Sequence, residues 1–427
     1  MVEATRTEIK QPERPPLLAV LGPGLTTGAS DDDPSGIATY SQVGAQFGYG
    51  MGWMLVFSYP LMSAIQEISA RIGRVTGHGV AGNLRRHAPP WLLYGVVGLL
   101  CIANTINLGA DLGAMAAALQ LLVGGPALLY VIGFGTASAL LEIFVRYSRY
   151  ASVLKWLTLS LFAYVATVFV VHVPWGHALA AVLLPAPELT SHYVTGMVAV
   201  LGTTISPYLF FWQAEQEVEE EEESPVKQPL IEAPRQAPAE LIRIRWDTYV
   251  GMGFSNLIAL FIVFTTAATL NAHGITDIAT SAQAAEALRP VAGPFAFVVF
   301  AVGIIGTGLL ALPVLAGSAA YALGEAMRWP VGLARAPGKA RRFYGAIAVA
   351  TAIGVALNVS PIDPIKALIW SAVINGVVAV PVMAVMMRLA CRPAVMGQFV
   401  LGRALRTMGW LSTLAMALAA AGLLLTL

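Results

Sequence analysis

The sequence predicts an all-α polytopic membrane protein with about eleven transmembrane helices. Hydrophobic residues make up 57% of the 427 residues and charged residues 11%, against roughly 25% charged in ordinary soluble proteins. Mean hydropathy is +0.71. Apolar windows of about 18–25 residues recur along the chain, each long enough to cross about 30 Å of hydrocarbon. One membrane domain is therefore expected over 15–427, after a polar tail at 1–14 that lacks the features of a cleaved signal.

The predicted spans follow from the apolar windows between polar segments. They are 17–48, 51–70, 91–122, 126–145, 153–173, 193–214, 248–270, 291–324, 343–358, 364–387 and 407–427. With a cytoplasmic N-terminus, all of the 25 Lys and Arg residues except Arg289 and Lys366 fall on the cytoplasmic side. The positive-inside rule thus predicts a multi-pass protein of the cytoplasmic (inner) membrane, with its N-terminus cytoplasmic and its C-terminus outside.

A sizeable hydrophilic insertion is predicted at 215–247, on the cytoplasmic side. It holds the acidic run Glu217–Glu223 followed by a Pro- and Ala-rich stretch. This composition favours a solvated helix end and a disordered loop. The alternative is an acidic mouth that concentrates cations.

The first span contains SDDDPSG, three aspartates inside an otherwise apolar run. Each aspartate at the bilayer centre costs roughly 2.5–3.5 kcal/mol on insertion scales, so a function must require them. Pro34 disfavours the α conformation at Asp33 and is suited to the first turn of a new helix. The span is therefore predicted to be two half-helices joined by an unwound segment.

The sixth span repeats this pattern in LGTTISPYLFFWQ, where Pro207 follows a run of small and hydroxyl residues. The two interrupted spans are five apart. Spans one to five and six to ten are therefore predicted to be two inverted repeats with broken helices 1 and 6, an arrangement that places transporter sites near the bilayer midplane.

Such a site favours a cation, because unwound backbone carbonyls, helix C-termini and carboxylates are all negative. The predicted metal ligands are Asp33, the Thr203 carbonyl and Ser206, with Asp31 or Asp32 at the vestibule. This hard oxygen set suits Mg²⁺, or else Mn²⁺ or Ca²⁺. Asp33 has an alternative role as the N-cap of the second half-helix, but capping explains one aspartate and not three.

Four segments resemble the NRAMP family of divalent-metal transporters: GPGLTTGASDDDPSGIATY, LMSAIQEISARIGRVTGHG, ADLGAMAAALQLLVG and GTTISPYLFFWQ. The resemblance implies an amino-acid/cation symporter-like fold and no enzymatic activity. Familiar members carry Asp-Pro-Gly-Asn in span one and Met-Pro-His in span six. The matching residues here are Asp33-Pro34-Ser35-Gly36 and Ser206-Pro207-Tyr208. The pattern is most similar to the NRAMP-related magnesium transporters, a branch without the methionine, which implies Mg²⁺ as the transported ion.

The resemblance also implies further residues around the ion. Gly36 and Tyr208 occupy the positions of the family's Asn and His, and Asn375 lies close to where the family places a polar residue in span ten. Asn375 has an alternative role as a helix-packing hydrogen bond. Of the groups that pass protons in coupled members, Asp111 is retained, whereas the glutamate position holds Ala114. Asp111 is then the remnant of a proton path, and transport without obligatory proton coupling is expected.

Three other functions remain as alternatives. They are a proton-coupled Mn²⁺/Fe²⁺ symporter, a Na⁺-coupled amino-acid transporter, and an intramembrane aspartyl protease that uses Asp33 and Asp111. The expected partners are the transported divalent ion and the lipid bilayer. No cofactor, nucleic acid or obligate protein partner is predicted.

Overall fold

The computed structural model describes residues 23–145, 156–187, 190–360 and 362–426, and throughout these ranges the regular structure is helical. The predicted tail at 1–14 and the start of span one lie outside them. The helices are α1 Pro23–Asp31, α2 Pro34–Phe47, α3 Gly52–Thr76, α4 Val80–His87, α5 Pro90–Val123, α6 Ala127–Phe144, α7 Phe162–Val170, α8 Trp175–Leu183, α9 Ser191–Thr204, α10 Pro207–Glu223, α11 Ala237–Thr269, α12 Ser281–Glu286, α13 Arg289–Ala292, α14 Ala296–Met327, α15 Arg341–Leu357, α16 Pro364–Ala390, α17 Pro393–Met396 and α18 Arg403–Thr426.

Helix is present within each of the eleven predicted windows, and the all-α prediction is confirmed. By length and composition, seven helical segments of the described chain are able to cross a membrane, or eight if the bent pair α7 and α8 forms one span. The α9–α10 pair counts as one of the seven, whereas α1–α2, α3 and α15 are not among them. The count of eleven transmembrane helices therefore remains a prediction.

The region of the fifth span differs from the sequence prediction of a single helix at 153–173. A 3₁₀ turn at Leu157–Leu161 leads into α7, and the chain then bends by 117° into α8. The bend comes just before Pro174, which has no N–H and favours an extended residue before it. The second helix of this pair was missed in the sequence.

The hydrophilic insertion is more ordered than its composition indicates. Helix α10 continues to Glu223 and α11 begins at Ala237, so the connection between them is 224–236 rather than all of 215–247. Its backbone is attached to the end of α3, where Leu230 N–H and Ile231 N–H donate to the Arg74 and Val75 carbonyls, each at 3.2 Å. The expectation of a disordered loop is wrong for this connection.

The two broken spans are enclosed by long helices. Helix α11 packs against α1 and α2, while α16 packs against α9, α5 and α2. Small residues permit the closest approaches. A Cβ on Gly28 would lie 2.4 Å from the Gly251 carbonyl oxygen, and one on Gly202 would lie 1.9 Å from that of Ala372. Small residues at helix contacts are typical of membrane bundles, and here they bring both breaks into the interior.

Candidate functional site

Both predicted helix breaks are present and have the same local geometry. Helix α1 ends at Asp31 and α2 begins at Pro34, with Asp33 extended at φ −69°, ψ 169°. Helix α9 ends at Thr204 and α10 begins at Pro207, with Ser206 extended at φ −81°, ψ 132°. In each case proline prevents the preceding residue from continuing the helix. The first half-helices thus direct the negative ends of their dipoles into the gaps.

Asp33 lies where α2, α5 and α10 meet, and its side chain is buried. Its Oδ1 accepts hydrogen bonds from the Gly36 N–H and the Ser35 hydroxyl, both at 2.7 Å. Its Oδ2 accepts from Asn107 Nδ2 at 3.1 Å and from the Tyr208 hydroxyl at 3.2 Å. The N-cap role is therefore real, but it occupies only one carboxylate oxygen. The other oxygen faces two different helices.

Two of these donors, Ser35 and Asn107, were missed in the sequence. Asn104, Asn107 and Asp111 follow one another at spacings of three and four, so they share a face of α5. All three are buried. A polar stripe at helical spacing within an apolar span is a signal that would have identified Asn107.

Asp31 and Asp32 do not join Asp33 and its donors. The Ser255 hydroxyl of α11 lies 2.6 Å from Asp31 Oδ2 and 3.0 Å from Asp32 Oδ1. Asp31 is 0% exposed and Asp32 3% exposed. The structure thus places both inside the protein against α11, rather than at an open vestibule. Ser255 is a further residue that sequence reasoning did not select.

Thr203 and Ser206 lie together at the second break. The Ser206 hydroxyl donates towards the carbonyls of Gly202, at 2.7 Å, and Thr203, at 2.9 Å. A hydroxyl keeps two acceptor lone pairs when it donates, and a carbonyl that accepts one bond keeps a second lone pair. Both predicted ligand groups therefore retain the capacity to bind a cation.

Gly36 permits close contact between the two broken spans. A Cβ at this position would lie 3.0 Å from Thr203 Oγ1, 3.3 Å from the Tyr40 ring and 3.4 Å from the Asp31 carbonyl oxygen. The glycine therefore does not leave an empty space where the family's asparagine stands. Thr203 and Tyr40 fill that space.

Asn375 and Asp111 are buried acceptors near these helices. Neither side-chain polar atom of Asn375 has a hydrogen-bond partner, so the helix-packing bond considered for it is not observed. Asp111 lies beside the Ser35 backbone N–H, without a well-aligned hydrogen bond to either of its oxygens. Both residues thus have unused acceptor capacity.

Carboxylates alone do not make a metal site here. Within the described ranges, no three His, Cys, Asp or Glu side chains converge closely enough to hold a metal ion. No ion pair among the described residues includes Asp31, Asp32, Asp33 or Asp111. A bound cation would therefore need neutral oxygen ligands or water in addition to a carboxylate. It would also compensate aspartate charge that no basic side chain among the described residues compensates.

Comparison with known proteins identifies the family. Residues 24–426 match the family model for Nramp, natural resistance-associated macrophage protein-like. The chain belongs to the Nramp family. It is similar to the divalent metal cation transporter MntH of Klebsiella pneumoniae strain 342, with 28% identity over 297 residues that cover 68% of each chain. The corresponding protein of strain ATCC 700721 is 29% identical over the same shares.

Solved structures show the same fold. The manganese transporter of Eremococcus coleocola, in complex with an aromatic bis-isothiourea substituted compound, matches with a TM-score of 0.72 and 19% identity over 97% of this chain and 88% of that one. Mhp1, a nucleobase-cation-symport-1 family transporter in a closed conformation, matches with a TM-score of 0.54 and 13% identity over 95% and 92%. The symporter-like fold class is thereby confirmed.

Family membership decides between classes of function. Nramp proteins are membrane transporters and not enzymes, so the aspartyl protease alternative is wrong. The chain is a multi-pass divalent metal cation transporter of the Nramp type. The choice of ion and the use of protons depend on the individual site residues.

Proposed function

We propose that this transporter moves Mg²⁺ across the cytoplasmic membrane, down its electrochemical gradient and without obligatory proton coupling. The observation that carries the proposal is the set of groups around Asp33. Its hydrogen-bond partners are two hydroxyls, one amide and one backbone N–H, with no sulfur and no histidine among them.

Oxygen chemistry at the second break supports the same ion. Ser206 stands where familiar members carry methionine, so a hard hydroxyl replaces a soft thioether, and thioethers favour softer metals. Mg²⁺ prefers oxygen ligands and keeps several of its waters. Asn107 Oδ1 and Asn375 Oδ1 are buried acceptors without partners, and they are available to hydrogen-bond such waters. Asp33, Thr203 and Ser206 are the proposed direct ligands.

Two replacements support transport without obligatory proton coupling. Ala114 has no titratable group, and the Tyr208 hydroxyl donates to Asp33 in the place of a histidine. A potential that is negative inside supplies about 2.3 kcal/mol per unit charge per 100 mV, hence about 4.6 kcal/mol for a divalent ion. The proposed orientation has the N-terminus cytoplasmic and the C-terminus outside.

A second candidate function is proton-coupled Mn²⁺ or Fe²⁺ symport. It is supported by Asp111, which is retained and buried next to the Ser35 backbone. It is also supported by the names of similar proteins, a manganese transporter and a divalent metal cation transporter.

Proteoliposomes loaded with a pH-sensitive dye separate the two candidates. An inside-negative potential is imposed with K⁺ and valinomycin, and Mg²⁺, Mn²⁺ or Ca²⁺ is added outside, alone and in competition. We expect Mg²⁺ to enter and to compete with Mn²⁺, without metal-dependent acidification. Acidification that follows metal entry and disappears in Asp111→Asn would contradict uncoupled transport. Mn²⁺ entry that excess Mg²⁺ leaves unchanged would contradict the choice of ion.

A further inference from the structure

The Ser255 hydroxyl contacts two aspartates. It lies 2.6 Å from one carboxylate oxygen, of Asp31, and 3.0 Å from another, of Asp32. A serine hydroxyl has one hydrogen to donate. It therefore donates to only one of the two carboxylates, and the other contact brings oxygen lone pairs together unless a proton or a cation lies between them.

Asp31 provides an independent observation. Its second oxygen, Oδ1, has no hydrogen-bond partner, and the side chain is completely buried. A buried polar group without a partner costs about 1–3 kcal/mol, and a charged one costs more. Asp33 is different, because four donors surround its carboxylate. Asp31 thus has a buried acceptor oxygen that no described residue satisfies.

Charge balance leads to the same conclusion. Asp31, Asp32, Asp33 and Asp111 are all buried, and no ion pair among the described residues offsets them. The C-terminal end of α1 adds partial negative charge at Asp31. If all four are ionised, one divalent ion at Asp33 leaves two of the four charges uncompensated. Two protons or a second divalent ion would neutralise them.

We propose that Asp31, Asp32 and Ser255 form a second cation site, between the first broken span and α11. The site is separate from the one at Asp33, because its side chains face α11, whereas those around Asp33 come from α2, α5 and α10. Its donors are carboxylate and hydroxyl oxygens, which suit a hard divalent cation. The occupant of this second site is the transported Mg²⁺, so the inference rests on the proposed function. The chain then holds two such ions at once.

The test counts bound ions. The purified full chain is equilibrated with Mg²⁺, and separately with Mn²⁺, and bound metal is measured by equilibrium dialysis. We expect two ions per chain in the parent, one in Asp33→Asn, one in Asp32→Asn and none in the double variant. Ser255→Ala keeps every charge and should lower the affinity for one of the two ions about tenfold. Ser58→Ala and Glu286→Gln serve as hydroxyl and charge controls and should bind as the parent does.

The outcomes separate this inference from the proposed function. One ion in the parent, or two ions bound to Asp32→Asn with the parent's affinities, would overturn the second site. If Mn²⁺ binds as two ions to the parent and one to each single aspartate variant, while Mg²⁺ does not bind, the second site is supported and Mg²⁺ as the cargo is contradicted. If Asp32→Asn does not fold, Ser255→Ala decides: unchanged affinity for both ions overturns the inference.

Discussion

Two acidic runs in this protein have similar composition and opposite surroundings. The first is Asp31–Asp33, at the break of span one, and the second is Glu217–Glu223, at the end of α10. Side chains in both runs are buried, with Asp31 and Glu217 each 0% exposed. The first run contacts no basic side chain in any described ion pair, whereas the second contacts arginine and lysine from several segments.

The second run is part of a structural clamp centred on Arg74 of α3. This buried arginine contacts Glu221 at 2.9 Å and Glu240 at 3.2 Å. It also donates to the Gln228 carbonyl at 2.6 Å and to Gln236 Oε1 at 2.8 Å. Because arginine presents five donors in a rigid fork, one side chain joins α3, α10, α11 and the connection 224–236.

The comparison shows that an acidic run is a candidate ion site only when the fold leaves its charge uncompensated. The bases around Glu217–Glu223 make an open acidic mouth the poorer interpretation of that run. Asp31–Asp33 lack such bases among the described residues, so protons or an ion from outside the protein must supply the counter-charge. Variants at Asp31–Asp33 should therefore affect ion binding and transport, whereas variants in the cluster around Glu217–Glu223 should affect stability.

The largest expected effect on transport comes from Asp33→Asn, which removes the charge placed next to the ion. We expect Mg²⁺ flux to fall to the level of empty liposomes, while melting temperature in detergent stays close to the parent's. Flux into proteoliposomes measures the first and intrinsic fluorescence the second. Glu286→Gln, which removes an acid that is paired with Arg289, should transport normally. The ion-site assignment fails if Asp33→Asn transports as fast as the parent.

The largest expected effect on stability comes from Arg74→Met. Removing Arg74 leaves Glu221 without its ion-pair partner, whereas Glu240 keeps Lys227 and Arg243. Breaking a buried pair typically costs about 3–5 kcal/mol. We expect a clear fall in melting temperature and in folded yield. Adding Glu221→Gln to Arg74→Met should recover part of the loss, because one unpaired buried charge is then removed. A melting temperature equal to the parent's would show that the clamp does not stabilise the fold.

An intermediate effect is expected from Ser206→Met, which introduces a thioether at the second break. The affinity for Mn²⁺ or Cd²⁺ relative to Mg²⁺ should rise about tenfold, equivalent to about 1.4 kcal/mol. Calorimetric titration of the purified variant measures this ratio. Ser206→Ala is the matched control, since it removes the hydroxyl without adding sulfur. Equal ratios in all three proteins would mean that Ser206 does not face the ion.

The smallest effect is expected from Glu222→Gln, at the exposed edge of the second run. Glu222 contacts Arg335 at 2.9 Å, but their side chains are 56% and 45% exposed. Exposed ion pairs contribute at most about 1 kcal/mol, because water screens both charges. Melting temperature and flux should both stay near the parent's values. A loss of stability like that of Arg74→Met would contradict the distinction between the buried and exposed parts of the run.

The sequence was sufficient for the features that depend on local chemistry. Membrane class follows from apolar windows of bilayer length. The two breaks follow from Pro34 and Pro207, because proline restricts the residue before it wherever the chain goes. The importance of Asp33 follows from the cost of an aspartate within a span. The end of the fifth span was predicted less well, since the apolar window does not show that the chain bends by 117° and continues as α8.

Only the tertiary structure decided which side chains meet. Asn107 and Tyr208 reach Asp33 from 74 and 175 positions away, and Ser255 reaches Asp31 from 224 positions away. Arg74 neutralises Glu221 across 147 positions, and no base does the same for Asp31. Periodicity along one helix determines which face a residue occupies, but not the neighbour that face will contact. The sequence alone thus located both acidic runs, and the packing of distant helices determined which one retains its charge for an ion.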